Sequence, residues 1–250
     1  HDEFVNTDLM AKLLAAEKPA WTPGTRSGYH AITIGPLADG LFKRVIGKTL
    51  GEYFREEIAT PFGLDLHLGL PASEDNRVAE LAHNGGSQAG GPELWNEYQY
   101  LVYENTPVEM PIAMRRDWRA QGTPSAGAQA NARSVATLYS ALATDRRLSG
   151  NEIISEAGLA AGTTIQIENE DLVLRFPISW AVGFGINTSQ ALFGPNATAF
   201  GHSGWGGSFG FADPATGIGA AYTMNYMIDQ MDAPDPRVVS LLTAIYTSLA

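Results

Sequence analysis

The sequence contains no cysteine among its 250 residues. Disulfide bonds, thiolate nucleophiles and cysteine-ligated metals are therefore excluded within these residues. The absence of cysteine does not indicate whether the protein resides in an oxidising or a reducing compartment. Basic residues are few, since 16 Lys and Arg stand against 27 Asp and Glu, for a formal net charge of -11. Because binding to a phosphate backbone needs basic patches, this balance argues against a nucleic-acid partner and favours a neutral or small-molecule substrate.

Long apolar runs and cofactor motifs are missing as well. No window approaches 18 consecutive apolar residues, so the sequence predicts no transmembrane helix. It has no Gly-x-Gly-x-x-Gly and no P-loop, and its five histidines lack metal-ligand spacing, so we expect neither a nucleotide cofactor nor a metal. The chain begins at His1 with neither an initiator methionine nor a signal peptide, which indicates a start within something larger. The compartment is left unknown, with the cytoplasm as the favoured expectation.

The apolar fraction that is present, 44%, is enough for one large domain or two lobes sharing a core. Up to about residue 162 the pattern predicts a mostly helical lobe. Apolar residues at helical spacing predict helices over residues 9–14, 37–46, 50–58 and 134–142, with Gly47 as a C-terminal cap. Loops are expected at residues 83–92 and 104–128.

From about residue 163 the pattern changes to short runs separated by Gly, Pro and Asn, which predict strands. These runs cover residues 164–167, 172–176, 181–186, 209–212 and 218–227. A last helix is predicted over 236–249, with Asp235 as its N-cap. Its expected buried face consists of Val238, Leu241, Leu242, Ile245 and Leu249. Helices followed by strands and a closing helix predict an α+β fold with an antiparallel sheet covered by helices, rather than a parallel doubly wound sheet.

Residues 201–210 hold five glycines beside His202, Ser203 and Trp205. Glycine lets a backbone come close to another backbone or to a ligand, so an edge strand here could place substrate against main-chain N–H groups. A glycine-rich hairpin with a core tryptophan is an equally good interpretation. Ser208 formally matches a Gly-x-Ser-x-Gly nucleophile elbow, but that elbow joins a strand to a helix. Because a strand is predicted after Ser208, we expect the match to be accidental, and an α/β-hydrolase using this serine is the weakest hypothesis.

Tyr29 follows a turn and precedes an amphipathic helix. A tyrosine can act as a general base when nearby cations lower its pKa. From composition alone, a partly buried loop tyrosine is the simpler interpretation.

Several motifs stand together in a familiar order. They are Trp21-x-Pro23-Gly24-Thr25, Tyr29-His30-Ala31, the stretch at residues 50–64, and His202-Ser203-Gly204 followed by residues 206–214. The set resembles the serine β-lactamase-like superfamily over nearly the whole chain, in particular the family VIII carboxylesterases near class C β-lactamases. The resemblance implies hydrolysis of a small-molecule ester through an acyl-enzyme, without a cofactor, by one β-lactamase-like domain.

The family's motifs imply roles for individual residues. Tyr29 matches the tyrosine that helps to move protons, and the backbone of Trp205 matches a donor of the oxyanion hole. Substrate-binding roles are implied for His30, His202, Ser203, Gly204 and Gly206, with 202–204 at the Lys-Thr-Gly position. Ala31 stands where the family usually has Asn, and His202 stands where it has Lys. Both departures are common among the esterases and argue against efficient β-lactam hydrolysis.

The family's Ser-x-x-Lys nucleophile motif does not occur. The residues three places before the four lysines are Leu9, Ala15, Gly40 and Val45. Only 28 residues precede Tyr29, so we expect residues 1–250 to be the C-terminal part of a family member. The serine and lysine would then come from a companion N-terminal polypeptide. The alternatives are a non-catalytic fragment or binding module of this fold, and a hydrolase of β-lactams or D-amino-acid peptides.

Overall fold

The computed structural model describes residues 5–83, 92–104, 110–187, 190–228 and 234–249. Most of the predicted loop at 83–92, and residues 105–109 of the predicted loop at 104–128, lie outside these ranges. The chain divides into two compact units. Unit 1 comprises His1–Trp21, His30–Ala82 and Gln99–Asn131, and unit 2 comprises Thr22–Tyr29, His83–Tyr98 and Ala132–Ala250.

Eight α-helices occur in the described residues. They are α1 Thr7–Ala16, α2 Ile34–Ile46, α3 Leu50–Tyr53, α4 Glu97–Tyr103, α5 Arg116–Gln121, α6 Ala132–Ala143, α7 Glu156–Thr163 and α8 Pro236–Ser248. Shorter 3-10 turns cover Ala72–Arg77, Pro92–Leu94, Met110–Met114 and Trp205–Gly207. The predicted helix over 50–58 is only partly α-helical, since a π-helical turn, Phe54–Ala59, continues α3.

The strands are short. They are β1 Leu66–Leu68, β2 Ala82–His83, β3 Ala128–Ala130, β4 Arg147–Leu148, β5 Asn151–Glu152, β6 Ile167–Glu170, β7 Pro177–Trp180, β8 Gly185–Ile186, β9 Phe200–Ser203, β10 Phe209–Asp213, β11 Ile218–Tyr222 and β12 Tyr226–Met227. Two small antiparallel pairs are β1 with β3 and β4 with β5.

Helix ends in both units are fixed by residues close in sequence, through a side chain or through the backbone. Asn6 caps α1 by accepting a hydrogen bond from the N–H of Leu9. Gly47 ends α2 in the left-handed conformation, at φ 81°, where a side chain would be strained. Asp235 caps α8 by accepting from the N–H of Arg237, and Pro236 takes the first helical position. The predicted caps Gly47 and Asp235 are confirmed.

Unit 2 contains a six-stranded sheet in the order β11-β10-β9-β8-β7-β6. Each neighbouring pair is antiparallel, which confirms the predicted α+β fold with an antiparallel sheet. Helices α6 and α7 belong to this unit together with the sheet, so the compact units do not follow the expected division near residue 162.

Helices cover both faces of this sheet. On one face, Phe209 and Phe211 of β10 pack with Phe193 and with Val238 of α8. On the other face, Ala212 belongs to a cluster against which α6 packs. The alternation along β10 is that of a strand buried on both sides. The predicted buried face of α8 is partly wrong, because Leu241 and Leu249 are 43% and 52% exposed.

Four strand predictions need correction. The strand predicted over 218–227 is interrupted and forms β11 and β12, which belong to different sheets. Residues 172–176 form a turn, because the Asp171 side chain accepts the backbone N–H groups of Val173 and Leu174 and so takes them out of any ladder. Residues 181–184 form the tight connection between β7 and β8, closed by a bond from Ala181 N to Phe184 O. The strand predicted over 164–167 occurs slightly later in the sequence, as β6 at Ile167–Glu170.

The glycine-run strand is not an edge strand, which corrects the expectation for residues 202–205. β9 lies between β8 and β10, with Gly201 opposite both Gly185 and Phe211. Because β8 pairs with only two of its residues, His202 and Ser203 extend beyond the end of β8 while remaining paired with β10.

Candidate active site

The segment that carries Tyr29 is fastened to the region between β6 and β7. Its backbone N–H donates to Asp171 Oδ1 at 3.0 Å. Two residues earlier, Ser27 O accepts from the N–H of Leu172 at 2.9 Å, and Ser27 Oγ bonds Asn169 Oδ1 at 2.9 Å. All these residues belong to unit 2. A loop tyrosine is thus held by three bonds to residues far away in sequence.

Three rings meet at this position. The Tyr29 ring lies 5.8 Å from the Trp180 ring, at 6° between planes, and 5.9 Å from the His202 ring, at 29°. Trp180 and His202 lie 5.6 Å apart at 27°. Such offset, near-parallel arrangements are favourable for aromatic side chains. Tyr29 and His202, which the resemblance assigns to one site, are therefore in contact, and Trp180 joins them. We call this set the aromatic cluster.

His202 is a neutral imidazole. Its Nδ1 lies 2.5 Å from Ser203 O, and because a carbonyl only accepts, Nδ1 carries the proton. Burial lowers the pKa of His202, and the bond to Ser203 opposes this to a smaller extent. At neutral pH the ring therefore has no charge and presents Nε2 as an acceptor.

Tyr29 is a protonated phenol in these surroundings. Burial raises its pKa above the ordinary value, and the negative charge of Asp171 raises it further. The cation that a tyrosine base would need is thus not supplied at this ring by the described residues. The proton-transfer role implied for Tyr29 therefore stays a prediction.

A tight turn follows His202 and Ser203. Gly204 N donates to Ser208 O at 2.7 Å, and Gly207 N donates to Gly204 O at 3.1 Å. Gly206 is buried with φ 82°, a conformation that disfavours a side chain, and its carbonyl accepts from Arg237 Nη2 at 2.8 Å. Ser203 and Gly204 are exposed. Arg237 of α8 therefore holds the turn at Gly206, while Ser203 and Gly204, at the start of the turn, are exposed to solvent.

The remaining predicted residues differ in their placement. Trp205 is half-buried and begins the 3-10 turn, so its backbone stands directly after the exposed Gly204. Ser208 leads into β10 rather than into a helix, as expected, so the geometry of a nucleophile elbow does not exist there. His30 is exposed in unit 1, with Nδ1 2.7 Å from Thr33 Oγ1 ahead of α2.

Sequence reasoning missed Trp180 and Asp171 as members of this site. Trp180 ends a short strand and Asp171 stands in an acidic stretch that is most simply interpreted as solvated. Only the pairing of β6 with β7 brings them to Tyr29. In the ranges that the structure describes, no three acidic or histidine side chains are grouped so as to hold a metal ion. Nor does any helix of those ranges have the length and apolarity to cross a membrane.

Comparison with known proteins identifies a family and several solved structures with the same fold. The Beta-lactamase family model matches residues 1–244. The esterase/beta-lactamase LipL of Mycobacterium tuberculosis is 30% identical over 247 residues, covering 91% of this chain and 54% of LipL. A penicillin-binding protein homologue from Caulobacter crescentus superimposes with a TM-score of 0.89 at 39% identity, over 98% of this chain and 65% of that one. A family VIII carboxylesterase gives a TM-score of 0.89 at 40% identity, with the same coverage. The chain thus spans between about half and two thirds of the length of these relatives.

Proposed function

Because this chain belongs to the β-lactamase family, we propose that it forms part of a serine hydrolase that cleaves carboxylic esters through an acyl-enzyme. The observation that carries the proposal is the contact of Tyr29 with a neutral His202, beside the exposed start of a glycine turn. The relatives point the same way, since one is described as an esterase/beta-lactamase and another as a family VIII carboxylesterase.

The nucleophile lies outside these 250 residues in this proposal, because no serine here stands three places before a lysine. A Ser-x-x-Lys segment supplies the serine, as an earlier part of the same polypeptide or as a companion one. The serine Oγ bonds to the ester carbonyl carbon, the bond from that carbon to the alcohol oxygen breaks, and the proton lost by serine passes to the alcohol. Water then cleaves the acyl-enzyme and releases the acid.

Tyr29 is suited to the proton transfer in this reaction. As a protonated phenol it donates a hydrogen bond to the departing alcohol oxygen, and the lysine of the added segment is the cation that makes its proton mobile. The Trp205 backbone N–H, at the start of the turn, is proposed to stabilise the oxyanion. Ser203 and Gly204 line the adjacent strand end, and Gly206 holds the turn's shape. The substrate-binding role that the family's motifs imply for His30 is retained as part of the proposal.

The neutral His202 favours esters over β-lactams. Penicillins and cephalosporins carry a carboxylate, and an uncharged imidazole offers that group no ionic partner. The formal charge of -11 also disfavours anionic substrates. We therefore expect a neutral ester to be the better substrate.

The test compares two samples, the 250-residue chain alone and the chain joined to a preceding segment that carries a Ser-x-x-Lys motif. A short-chain p-nitrophenyl ester and a chromogenic cephalosporin are the substrates. We expect ester turnover only in the joined protein, with the cephalosporin slower. Tyr29→Phe should lower kcat by about 10²- to 10⁴-fold, the usual range for lost acid–base assistance. Ser208→Ala is the matched control and should retain most activity.

Two outcomes would contradict this proposal. Turnover by the chain alone, blocked by a serine-directed inhibitor, would place the nucleophile within these residues. A joined protein that binds a phosphonate ester analogue reversibly but is never phosphonylated on serine would favour a binding module.

A further inference from the structure

Asp171 is a buried carboxylate that gathers four N–H donors. The residue is 0% exposed and lies in the connection between β6 and β7. Its Oδ1 accepts the backbone N–H groups of Tyr29, Val173 and Leu174 at 3.0, 2.9 and 3.0 Å. Its Oδ2 accepts the indole N–H of Trp180 at 3.3 Å. A carboxylate buried without such partners would be strongly unfavourable, so these bonds decide whether the turn can form.

The four donors come from two different parts of the site. Val173 and Leu174 belong to the turn that follows Asp171 itself, and their bonds shape that turn. Tyr29 and Trp180 are two of the three rings in the aromatic cluster, and Tyr29 lies 142 residues away in sequence. One side chain therefore holds both the backbone of Tyr29 and the ring edge of Trp180.

The ring arrangement depends on these two bonds. The planes of Tyr29 and Trp180 differ by only 6°, and each ring also stacks on His202. An indole bonded through Nε1 cannot rotate about its χ angles without losing that bond, which would leave a buried acceptor unsatisfied. Fixing the Trp180 ring fixes the surface against which Tyr29 and His202 lie.

We infer that Asp171 is a positioning residue of the site, which sets the place of Tyr29 and the orientation of Trp180 and thereby the geometry of the aromatic cluster. The catalytic consequence rests on the proposed ester hydrolysis, whereas the positioning itself does not.

The charge of Asp171 has a second effect on Tyr29. The carboxylate is the smaller of two causes that raise the pKa of the phenol, burial being the larger. The other titratable ring in contact with Tyr29 is His202, which is neutral, and Arg26 lies three residues earlier on Tyr29's own segment. Replacing Asp171 by a neutral residue should therefore lower the pKa of Tyr29 while leaving it above the ordinary value.

Asp171→Asn is the central variant, and Asp213→Asn is its matched control. Asp213 is also 0% exposed, in the same unit, but its side chain bonds Asn196 and Tyr246 rather than the aromatic cluster. Both variants lose a buried carboxylate, so both lower stability. Only Asp171→Asn should change the pKa of Tyr29 and the position of the His202 ring relative to Tyr29 and Trp180.

The readout is nuclear magnetic resonance of the 250-residue protein, which needs no catalysis. The Cζ signal of Tyr29, identified by Tyr29→Phe, reports the phenol pKa, and the Hε1 signal of His202 reports ring currents from Tyr29 and Trp180. Asp171→Asn should lower the Tyr29 pKa and shift the His202 signal, and Asp213→Asn should do neither. Equal effects of the two variants, or no effect of Asp171→Asn, would overturn the inference.

If Asp171→Asn does not fold, the variant Asp171→Glu tests the positioning role instead. It keeps the charge but lengthens the side chain, so the pKa of Tyr29 should stay raised while the His202 signal moves. An unmoved His202 signal in this variant would contradict the positioning role.

In the joined protein, Asp171→Asn should lower kcat by roughly 10- to 100-fold, as a small misplacement of a reacting group does, with little change in KM. Asp213→Asn should leave kcat close to that of the unmodified protein. If the joined protein is inactive in every form, the proposed function fails while the resonance measurements still decide the positioning role.

Discussion

The two compact units differ in the balance of their contacts, although unit 1 also buries apolar side chains such as Trp118 and Leu70. Unit 2 has two apolar clusters on its sheet, one around Phe211 beneath α8 and the other around Phe200 beside α6. In the described part of unit 1, charged side chains make many of the tertiary links. Examples are Asp8 with Lys43, Asp65 with Arg77, and Asp75 with Arg116 and Arg119. Apolar residues of its first two helices are exposed, Leu13, Leu41 and Val45 among them.

This difference has energetic consequences. Burial of apolar surface contributes about 25 cal/mol per Å² and hardly depends on pH near neutrality. Ion pairs that remain in contact with water contribute roughly 0–1 kcal/mol each and disappear when the carboxylate is protonated. Unit 2 should therefore be sensitive to changes of side-chain volume, whereas links in unit 1 should be sensitive to acid.

The largest expected effect comes from removing a core ring of unit 2. Phe211 is 0% exposed and contacts Phe193, Phe209 and Tyr246. Phe211→Ala should lower the free energy of unfolding by about 3–5 kcal/mol, because it leaves a cavity in a packed cluster. Urea unfolding measures this change.

The matched control for that variant is Leu41→Ala in α2. Leu41 is 64% exposed, so the loss should stay within about 0.5 kcal/mol. Similar losses for the two variants would show that the apolar clusters do not distinguish the units.

A smaller effect is expected where α6 approaches the sheet. A Cβ added at Gly210 of β10 would lie 2.5 Å from Cε2 of Tyr139, so one of them must move. Gly210→Ala should cost about 1–3 kcal/mol, the range for overpacking. The control is Gly162→Ala in α7, whose Cβ would meet only Phe184, at 4.0 Å. Since alanine favours helix, that variant should be neutral or more stable by up to about 1 kcal/mol. A stable Gly210→Ala protein would indicate that α6 can shift freely on the sheet.

The parts of the fold that sequence predicted are those set by local signals. Asp235 caps α8 and Gly47 ends α2 through bonds to residues within four positions, so their neighbours in sequence are sufficient evidence. The strand over 209–212 is also predictable from its own residues, because they alternate between two apolar faces. The antiparallel sheet followed from short strands joined by Gly and Pro turns.

The parts that sequence could not predict depend on distant residues. Residues 172–176 are apolar enough for a strand, but one buried side chain, Asp171, binds their amides and forces a turn. β9 is interior because Gly185 and Ile186 pair with it, and no pattern within 200–203 carries that information. For the site, the motif order assigned Tyr29 and His202 to the same site, and their rings are in contact. No spacing links either residue to Trp180, which reaches them only through the register of β6, β7 and β8.

The smallest expected effect tests the acid sensitivity of unit 1. Asp65 accepts hydrogen bonds from Arg77, His67 and Asn131, and the bond from Arg77 is the main reason that its pKa falls to about 2 from an ordinary 3.8. Because the folded state lowers this pKa, the stabilisation is fully present above about pH 4 and is lost as the pH falls towards 2. The side chain is 30% exposed, so solvent screening limits the contribution to about 1 kcal/mol. Asp65→Asn should therefore be less stable than the unmodified protein by about that amount at pH 6, and the gap should close towards pH 2. Phe211→Ala is the control from unit 2, since its deficit should stay constant over the same pH range. Urea unfolding at intervals between pH 6 and 2.5 measures both gaps, and a constant gap for Asp65→Asn would mean that its ion pair contributes nothing to the stability of unit 1.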